Sequence, residues 1–388
     1  MKKITEIFAG TAVIIDNAFE TDEKKADRIW EIKNSLENHH IPLVIYSELP
    51  EDETIPHFRN LSFIILDWEL LPTEAEKANI DNNIDFLKKL NETCFIPIFI
   101  FSKQAPESIV AILKEHSIYK SNRGNIFVKS KVELVGEKNI LFEEIENWIN
   151  NTPSIYVLKE WELALNKAKY DLFTSLNNIN TGWPCVLKSN FDSDSVDYGS
   201  ELGALISRNL TSRMELLALN EKILDLKEDK IPRKDISQII ESEKYIKKEL
   251  LNPSIINTGD IYYKDGKYLL NIRPTCDLIP RNGNSLDNIE IYCLKGSKLS
   301  EQKLSSSYNA DYGNLIENDT NTIVFPIDNG RAVIFYFKKI YNYKYSEIKD
   351  NRKGRLLPPY LTKIQQKYSH YLQRPGLTRI PIESIPSE

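Results

Sequence analysis

The chain is poor in cysteine, histidine and long apolar runs, and each shortage excludes something. Its four cysteines, Cys94, Cys185, Cys276 and Cys293, are scattered with no paired spacing. Neither a disulfide framework nor a structural zinc site is expected, and a reducing cytoplasm is the expected compartment. No apolar run approaches the ~18 residues that cross a membrane, so no membrane helix is expected. The opening Met1-Lys2-Lys3-Ile4-Thr5-Glu6 is followed by no long apolar stretch with a small-residue cleavage site, and does not read as a signal peptide. Only five histidines occur, His39, His40, His57, His116 and His370, and none falls in the strand-rich stretch after residue 257 before the final helix. Abundant Asn, Ile and Lys with little Ala or Gly points to an AT-rich bacterial genome and does not bear on function. Hydrophobic residues at 41% and charged residues at 27% describe an ordinary globular chain, and 388 residues suffice for two or three domains.

What is present is a series of apolar runs that end in polar residues. Phe63-Ile64-Ile65-Leu66 leads straight into Asp67, and Pro72 follows shortly after. Four apolar residues in a row describe a strand buried on both faces, hence a parallel sheet. Ala12-Val13-Ile14-Ile15 ends at Asp16, Ile96 to Phe101 at Ser102, and Ile126-Phe127-Val128 at Lys129. Ligands of open parallel sheets bind beyond the carboxyl ends of the strands. Two acids, a hydroxyl and an amine at successive strand ends therefore predict one polar pocket.

That ordered set resembles the receiver domain of two-component response regulators, over about residues 8 to 150. The resemblance implies a doubly wound, five-stranded parallel sheet of the flavodoxin-like kind. It makes Asp67 the phospho-acceptor nucleophile, Ser102 the hydroxyl that bonds the phosphoryl group, and Lys129 the ammonium that pairs with it. It also implies Mg²⁺, held by Asp16, Asn17, Asp67 and Glu69, and a histidine-kinase-like ATPase or another protein as partner. Phosphoryl transfer needs such cations on the equatorial oxygens and a nucleophile held in line. The chain departs from the family at several points. Asn17 replaces the second acid and would weaken the metal, and Ser130 stands where proline is usual. Pro72 lies one residue further from Asp67 than usual, and Ile126, beside Phe127, replaces the aromatic switch residue. A receiver that keeps the fold as a docking surface without phosphorylation is the competing expectation.

Around this pocket, Asp22 to Leu36, Thr73 to Asn91, Pro106 to Lys114 and Glu137 to Ile149 read as helices, the second opening on a Thr73-x-x-Glu76 capping box. Acid and proline between Tyr46 and Ser62 leave room for only a short second crossover. Asn150-Asn151-Thr152-Pro153 closes a first domain, 1–150. Residues 154–251 read as a helical domain, with a heptad-like stripe of Leu158, Trp161, Leu165, Ala168, Leu172 and Leu176 that suits either a core or a homodimer seam. Asp192, Asp194 and Asp197 read as solvated loop, and His39-His40 as a helix end.

From 257 to 388 the pattern turns to short strands. Asp265-Gly266 between β-prone runs signals a hairpin, and Asp328-Asn329-Gly330 joins two more strands. A small antiparallel β-barrel with a terminal helix is expected. Thr258-Gly259-Asp260-Ile261 followed by Arg273-Pro274 is similar to the opening of MazF/PemK-type SH3-like barrels, a match of under twenty residues. Cys276, beside Asp277 and Arg273, lacks a neighbouring base and reads as structural.

Residues 338 to 379 hold eleven Lys or Arg against Glu347 and Asp350, a net +9 in a chain of net −6, so the remainder carries −15. Six tyrosines interleave with these cations. Lys338, Lys339, Lys344, Arg352, Lys353 and Arg355 are thus candidates for nucleic-acid contact, with docking on an acidic surface as the alternative. The functional expectation is a bacterial receiver-type signalling protein, by analogy of a phage-defence or other conflict system. Phosphorylation of Asp67 or partner docking would control the C-terminal domains. The alternative is a nucleic-acid-binding or RNase-like effector under a degenerate receiver. No enzymatic activity beyond phosphoryl uptake at Asp67 is expected.

Overall fold

A computed structural model describes residues 4–20, 27–71, 76–119, 121, 124–134, 140–225, 231–281, 284–376 and 378–386. The Thr73 capping position, Pro72 and the expected helix starts at Asp22 and Glu137 lie outside them. The chain packs as two compact units, one of Met1–Thr181 with Ile206–Lys227, the other of Gly182–Leu205 with Glu228–Glu388. The residues read as a helical domain, 154–251, therefore divide between the two units.

The first unit is built on β1 (Ala12–Ile15), β2 (Leu43–Tyr46), β3 (Phe63–Asp67), β4 (Ile98–Ser102) and β5 (Ile126–Ser130). They form one parallel sheet in the order β2-β1-β3-β4-β5. Every residue of β1, β3 and β4 is buried, as their unbroken apolar runs require. Alternation sends Ile14, Ile65 and Phe99 to one face, with the helices Arg28–Asn38 and Ile140–Asn150. Ile15, Ile64, Leu66 and Ile100 go to the other face, with Glu76–Thr93 and Pro106–Glu115. Helices cover both faces, which is the layering of a flavodoxin-like fold. Between β2 and β3 the crossover is a run of 3₁₀ turns, Asp52–Asn60, in place of a helix. The long helix Pro153–Ile179 buries Ile155 and Tyr156 against the first of these faces.

The second unit centres on an antiparallel sheet. Its strands are β6 (Tyr245–Lys247), β7 (Asp260–Lys264), β8 (Lys267–Asn271), β9 (Glu290–Lys298), β12 (Asn321–Ile327), β13 (Arg331–Lys344) and β14 (Arg352–Leu356). A small ribbon of β10 (Tyr308–Asn309) and β11 (Asn314–Leu315) stands apart. The order is β12-β13-β9-β8-β7-β14-β6, so β12 and β6 are edges with no pairing between them. The expected barrel is therefore a curled, open half-barrel. Length and bulges explain the curl: β13 spans 14 residues and shifts register against β9 between Tyr336 and Ile340. Asp265 and Gly266, both at positive φ, close the β7–β8 hairpin as read from the Asp-Gly pair. The final helix, Tyr360–Leu372, sinks Leu361 and Ile364 into the core holding Phe335 and Phe337.

Candidate functional site

β1 and β3 are neighbours in the sheet, yet the chain visits β2 on the far side of β1 between them. Their carboxyl ends therefore form the point where strand order reverses, the usual ligand crevice of such sheets. Asp16 follows β1 directly and Asp67 is the last residue of β3. Asp16 Oδ1 accepts from the Ala18 amide at 2.8 Å and Asp67 Oδ1 from the Glu69 amide at 3.2 Å, which fixes both carboxylates.

The cation between them is Lys131. Its Nζ lies 2.6 Å from Asp16 Oδ2 and 2.9 Å from Asp67 Oδ2. Relative exposure is 0% for Asp16, 5% for Asp67 and 1% for Lys131, so the three charges share a site closed to bulk water. Burial pushes the Asp67 carboxyl up to about 6, with Lys131 opposing and Asp16 adding to the rise. Burial disfavours the Lys131 ammonium as well, but the two carboxylates outweigh it and hold its pKa above the ordinary lysine range.

Lys129, the amine expected here, points elsewhere: its Nζ is 2.9 Å from Glu133 and 3.1 Å from Glu144. Hydrogen bonding to Glu133, then to Glu144, raises its pKa despite partial burial. β5 ends at Ser130, and the 3₁₀ turn Lys131–Leu134 begins at once, carrying Lys131 over the strand ends. Alternation would allow either lysine, and the acids nearby decide between them.

Ser102, fully buried, donates from Oγ to Glu69 Oε2 at 3.2 Å and accepts from the Gln104 amide at 3.1 Å. Gln104 Nε2 reaches Glu69 Oε1 at 3.5 Å. Asn17 donates from Nδ2 to the carbonyls of Glu69 and Leu70 at 3.1 and 2.9 Å. The turn after Asp67 is also pinned from beneath, a feature sequence reasoning missed. Buried Asn79 donates to the Trp68 carbonyl and accepts from the Leu70 and Leu71 amides at 3.1 and 3.2 Å, while Asn83 donates to the same carbonyl at 2.8 Å. Both asparagines lie on the buried face of the helix Glu76–Thr93, and their partners are backbone groups, so the sequence pattern carried no signal for them.

The residues expected to hold Mg²⁺ do not fit it as arranged. Both Oδ2 atoms hold an ammonium, the Glu69 carboxylate faces Ser102, and the Asn17 side chain is oriented as a donor. Among the described residues no group of three or more His, Cys, Asp or Glu converges as a metal site.

In the second unit the basic candidates separate. Arg352 Nη2 and Arg355 Nε lie 2.8 and 2.7 Å from Asp260 Oδ1, a wholly buried acid, so both are structural. Lys338, Lys339 and Lys344 are exposed and Lys353 half-buried. Lys363 and Lys367 clamp Glu317 at 3.1 and 2.7 Å, which with hydrogen bonds from Ile323 and Thr322 holds the Glu317 carboxyl below its usual range despite burial. Exposed Cys276 has its Sγ 3.7 Å from Asp277 Oδ1. Asp192 pairs with Lys188, and Asp197 caps the helix Tyr198–Arg213 through the Ser200 amide at 2.8 Å. No helix among the described residues is long and apolar enough to cross a membrane.

The fold class of the first unit is thus a five-stranded parallel sheet compatible with flavodoxin-like proteins, with an acid–lysine–acid cluster at its switch point. Comparison with protein-family models, with curated proteins and with solved structures found no match.

Proposed function

We propose that the first unit is a receiver-type regulatory module that works by docking a protein partner without phosphorylation, and so controls the second unit. One observation carries this reading. The two groups that would grip a phosphoryl anion, a strand-end hydroxyl and an ammonium, are already held by carboxylates of the chain itself: Ser102 by Glu69, and Lys131 by Asp16 and Asp67. A phosphoryl group would have to enter beside three carboxylates with a single ammonium to balance them, which disfavours it electrostatically. Glu69, by contrast, gives Ser102 the kind of anionic partner that phosphorylation supplies in responsive receivers, which suits a module held permanently in one state.

The test is incubation of the full chain with a small phosphodonor, with and without Mg²⁺, read by intact mass. No phosphoryl increment is expected in either condition. An increment that Asp67→Asn abolishes would replace docking by phosphorylation, with a histidine-kinase-like ATPase as the partner class and Mg²⁺ as the cofactor.

A further inference from the structure

The sheet of the second unit has one face under a helix and one face that is partly open. Strand register assigns side chains to each. Tyr262 pairs with Leu269 and Lys264 with Lys267 across β7 and β8, and Leu269 pairs with Lys295 of β9. On β13, Tyr336 pairs with Lys295, Tyr341 with Cys293 and Tyr343 with Ile291. Alternation along each strand therefore gathers Lys264, Lys267, Lys295, Tyr336, Tyr341 and Tyr343 on a single face. All six are half-buried, as on a sheet face that solvent reaches. The helix Tyr360–Leu372 covers the opposite face, with Phe335 and Phe337.

The cations and rings on this face are paired. The rings of Tyr341 and Tyr343 lie parallel, 12° apart, with centroids separated by 6.4 Å. Lys267 Nζ stands 5.6 Å from the Tyr341 ring, Lys264 Nζ 5.3 Å from Tyr343, and Lys339 Nζ 5.3 Å from Tyr336. The register shift between Tyr336 and Ile340 pushes exposed Lys338 and Lys339 out beside this row. Among the strand positions of this face in β7, β8, β9 and β13, the one acid is Asp260, buried and matched by Arg352 and Arg355. Exposed Asp265, in the turn between Lys264 and Lys267, and exposed Glu347 lie near Tyr343.

The geometry points to this face as a binding surface for single-stranded nucleic acid. Tyr336, Tyr341 and Tyr343 are stacking platforms for unpaired bases, and Lys264, Lys267, Lys295 and Lys339 meet the phosphates. Charge selects the occupant, because Lys264, Lys267, Lys295 and Lys339 outnumber the exposed acids beside them, Asp265 and Glu347, and match a polyanion. The rings select the strandedness, because a duplex keeps its base faces inside its own stack. This surface differs from the basic segment singled out in the sequence: Arg352 and Arg355 drop out, while Lys264, Lys267 and Lys295 enter from other strands.

The experiment is fluorescence anisotropy with the full chain and labelled oligouridylate and oligothymidylate of about 12 nucleotides, against a duplex and a polyglutamate competitor. Single strands are expected to bind at low salt (about 50 mM), to weaken steadily as salt rises, and to outcompete the duplex. Tyr341→Ala with Tyr343→Ala should lower affinity by about tenfold, whereas the paired Phe substitutions, which keep the rings, should retain it. Lys264→Glu with Lys267→Glu on the surface hairpin should weaken binding and flatten its salt dependence. A ratio of oligouridylate to oligothymidylate affinity well above one would assign RNA. No binding at low salt, equal affinity for duplex, displacement by polyglutamate as effective as by oligonucleotide, or indifference to both double substitutions would overturn the assignment.

Discussion

The Lys131 ammonium stands 2.9 Å from Asp67 Oδ2, and the same nitrogen stands 2.6 Å from the acid that follows β1, Asp16. One lysine thus bridges two carboxylates that the sheet forces together, and offsets one of their two charges. Removing it leaves two like charges buried without a counter-ion. Lys131→Met should therefore cost about 3–5 kcal/mol in urea unfolding. Lys129→Met, which loses partly exposed pairs to Glu133 and Glu144, should cost under about 1 kcal/mol. Equal costs would show that Lys131 does not hold the pocket.

The same burial gives the fold a pH dependence of definite sign. Burial, aided by Asp16 and opposed by Lys131, pushes the Asp67 carboxyl up to about 6 from 3.8. Between those values the folded chain binds the proton more tightly than the unfolded chain. Stability contributed by this group is thus full below about 4 and is lost as pH rises toward about 6. Asp67→Asn should remove that downward slope from urea midpoints measured across the interval. A wild-type profile rising through it, with Asp67→Asn rising equally, would contradict the assignment.

The turn that presents Asp67 rests on Asn79, which satisfies one carbonyl and two amides of residues 68 to 71 from a buried position. Asn79→Ala strands those groups and should cost about 2–3 kcal/mol. Asn79→Asp keeps the acceptor but loses the donor to the Trp68 carbonyl, and should be at least as costly. Urea denaturation of both, with Lys129→Met as a surface control, reads the effect.

How far the sequence was legible follows from these residues. Strand ends could be read because a run such as Phe63 to Leu66 can be satisfied only inside a sheet, and the residue that breaks it must surface at the rim. That logic brought out Asp16, Asp67 and Ser102. It failed at the amine, because Lys129 and Lys131 share a face by alternation and the deciding partner, Glu144, comes from the later helix Ile140–Asn150. Asn79 was hidden for the opposite reason: its partners are backbone atoms, which no sequence pattern displays. The short strands of the C-terminal unit were legible through Asp265-Gly266 and Asp328-Asn329-Gly330, but closure of a barrel depends on edge register, and β12 and β6 remain apart. The basic segment showed charge without showing that Arg352 and Arg355 converge on Asp260.

That convergence carries the last prediction. Asp260 Oδ1 meets Arg352 at 2.8 Å and Arg355 at 2.7 Å, and its Oδ2 accepts from the Asn257 amide at 2.9 Å. The cluster ties β7 to β14, whose pairing is interrupted between Arg352 and Gly354. On the other side of β14, Gly354 permits the close approach of β6, since a Cβ there would clash with the Ile246 carbonyl. Asp260→Ala leaves Arg352 buried with its main counter-charge gone and should destabilise by about 3–5 kcal/mol. Arg355→Met should cost less, because Arg352 still answers the acid and Arg355 is more exposed. The ordering is the decisive point, and thermal melts of the two variants check it: a larger loss in Arg355→Met than in Asp260→Ala would mean that the arginines, not the acid, organise this corner of the sheet.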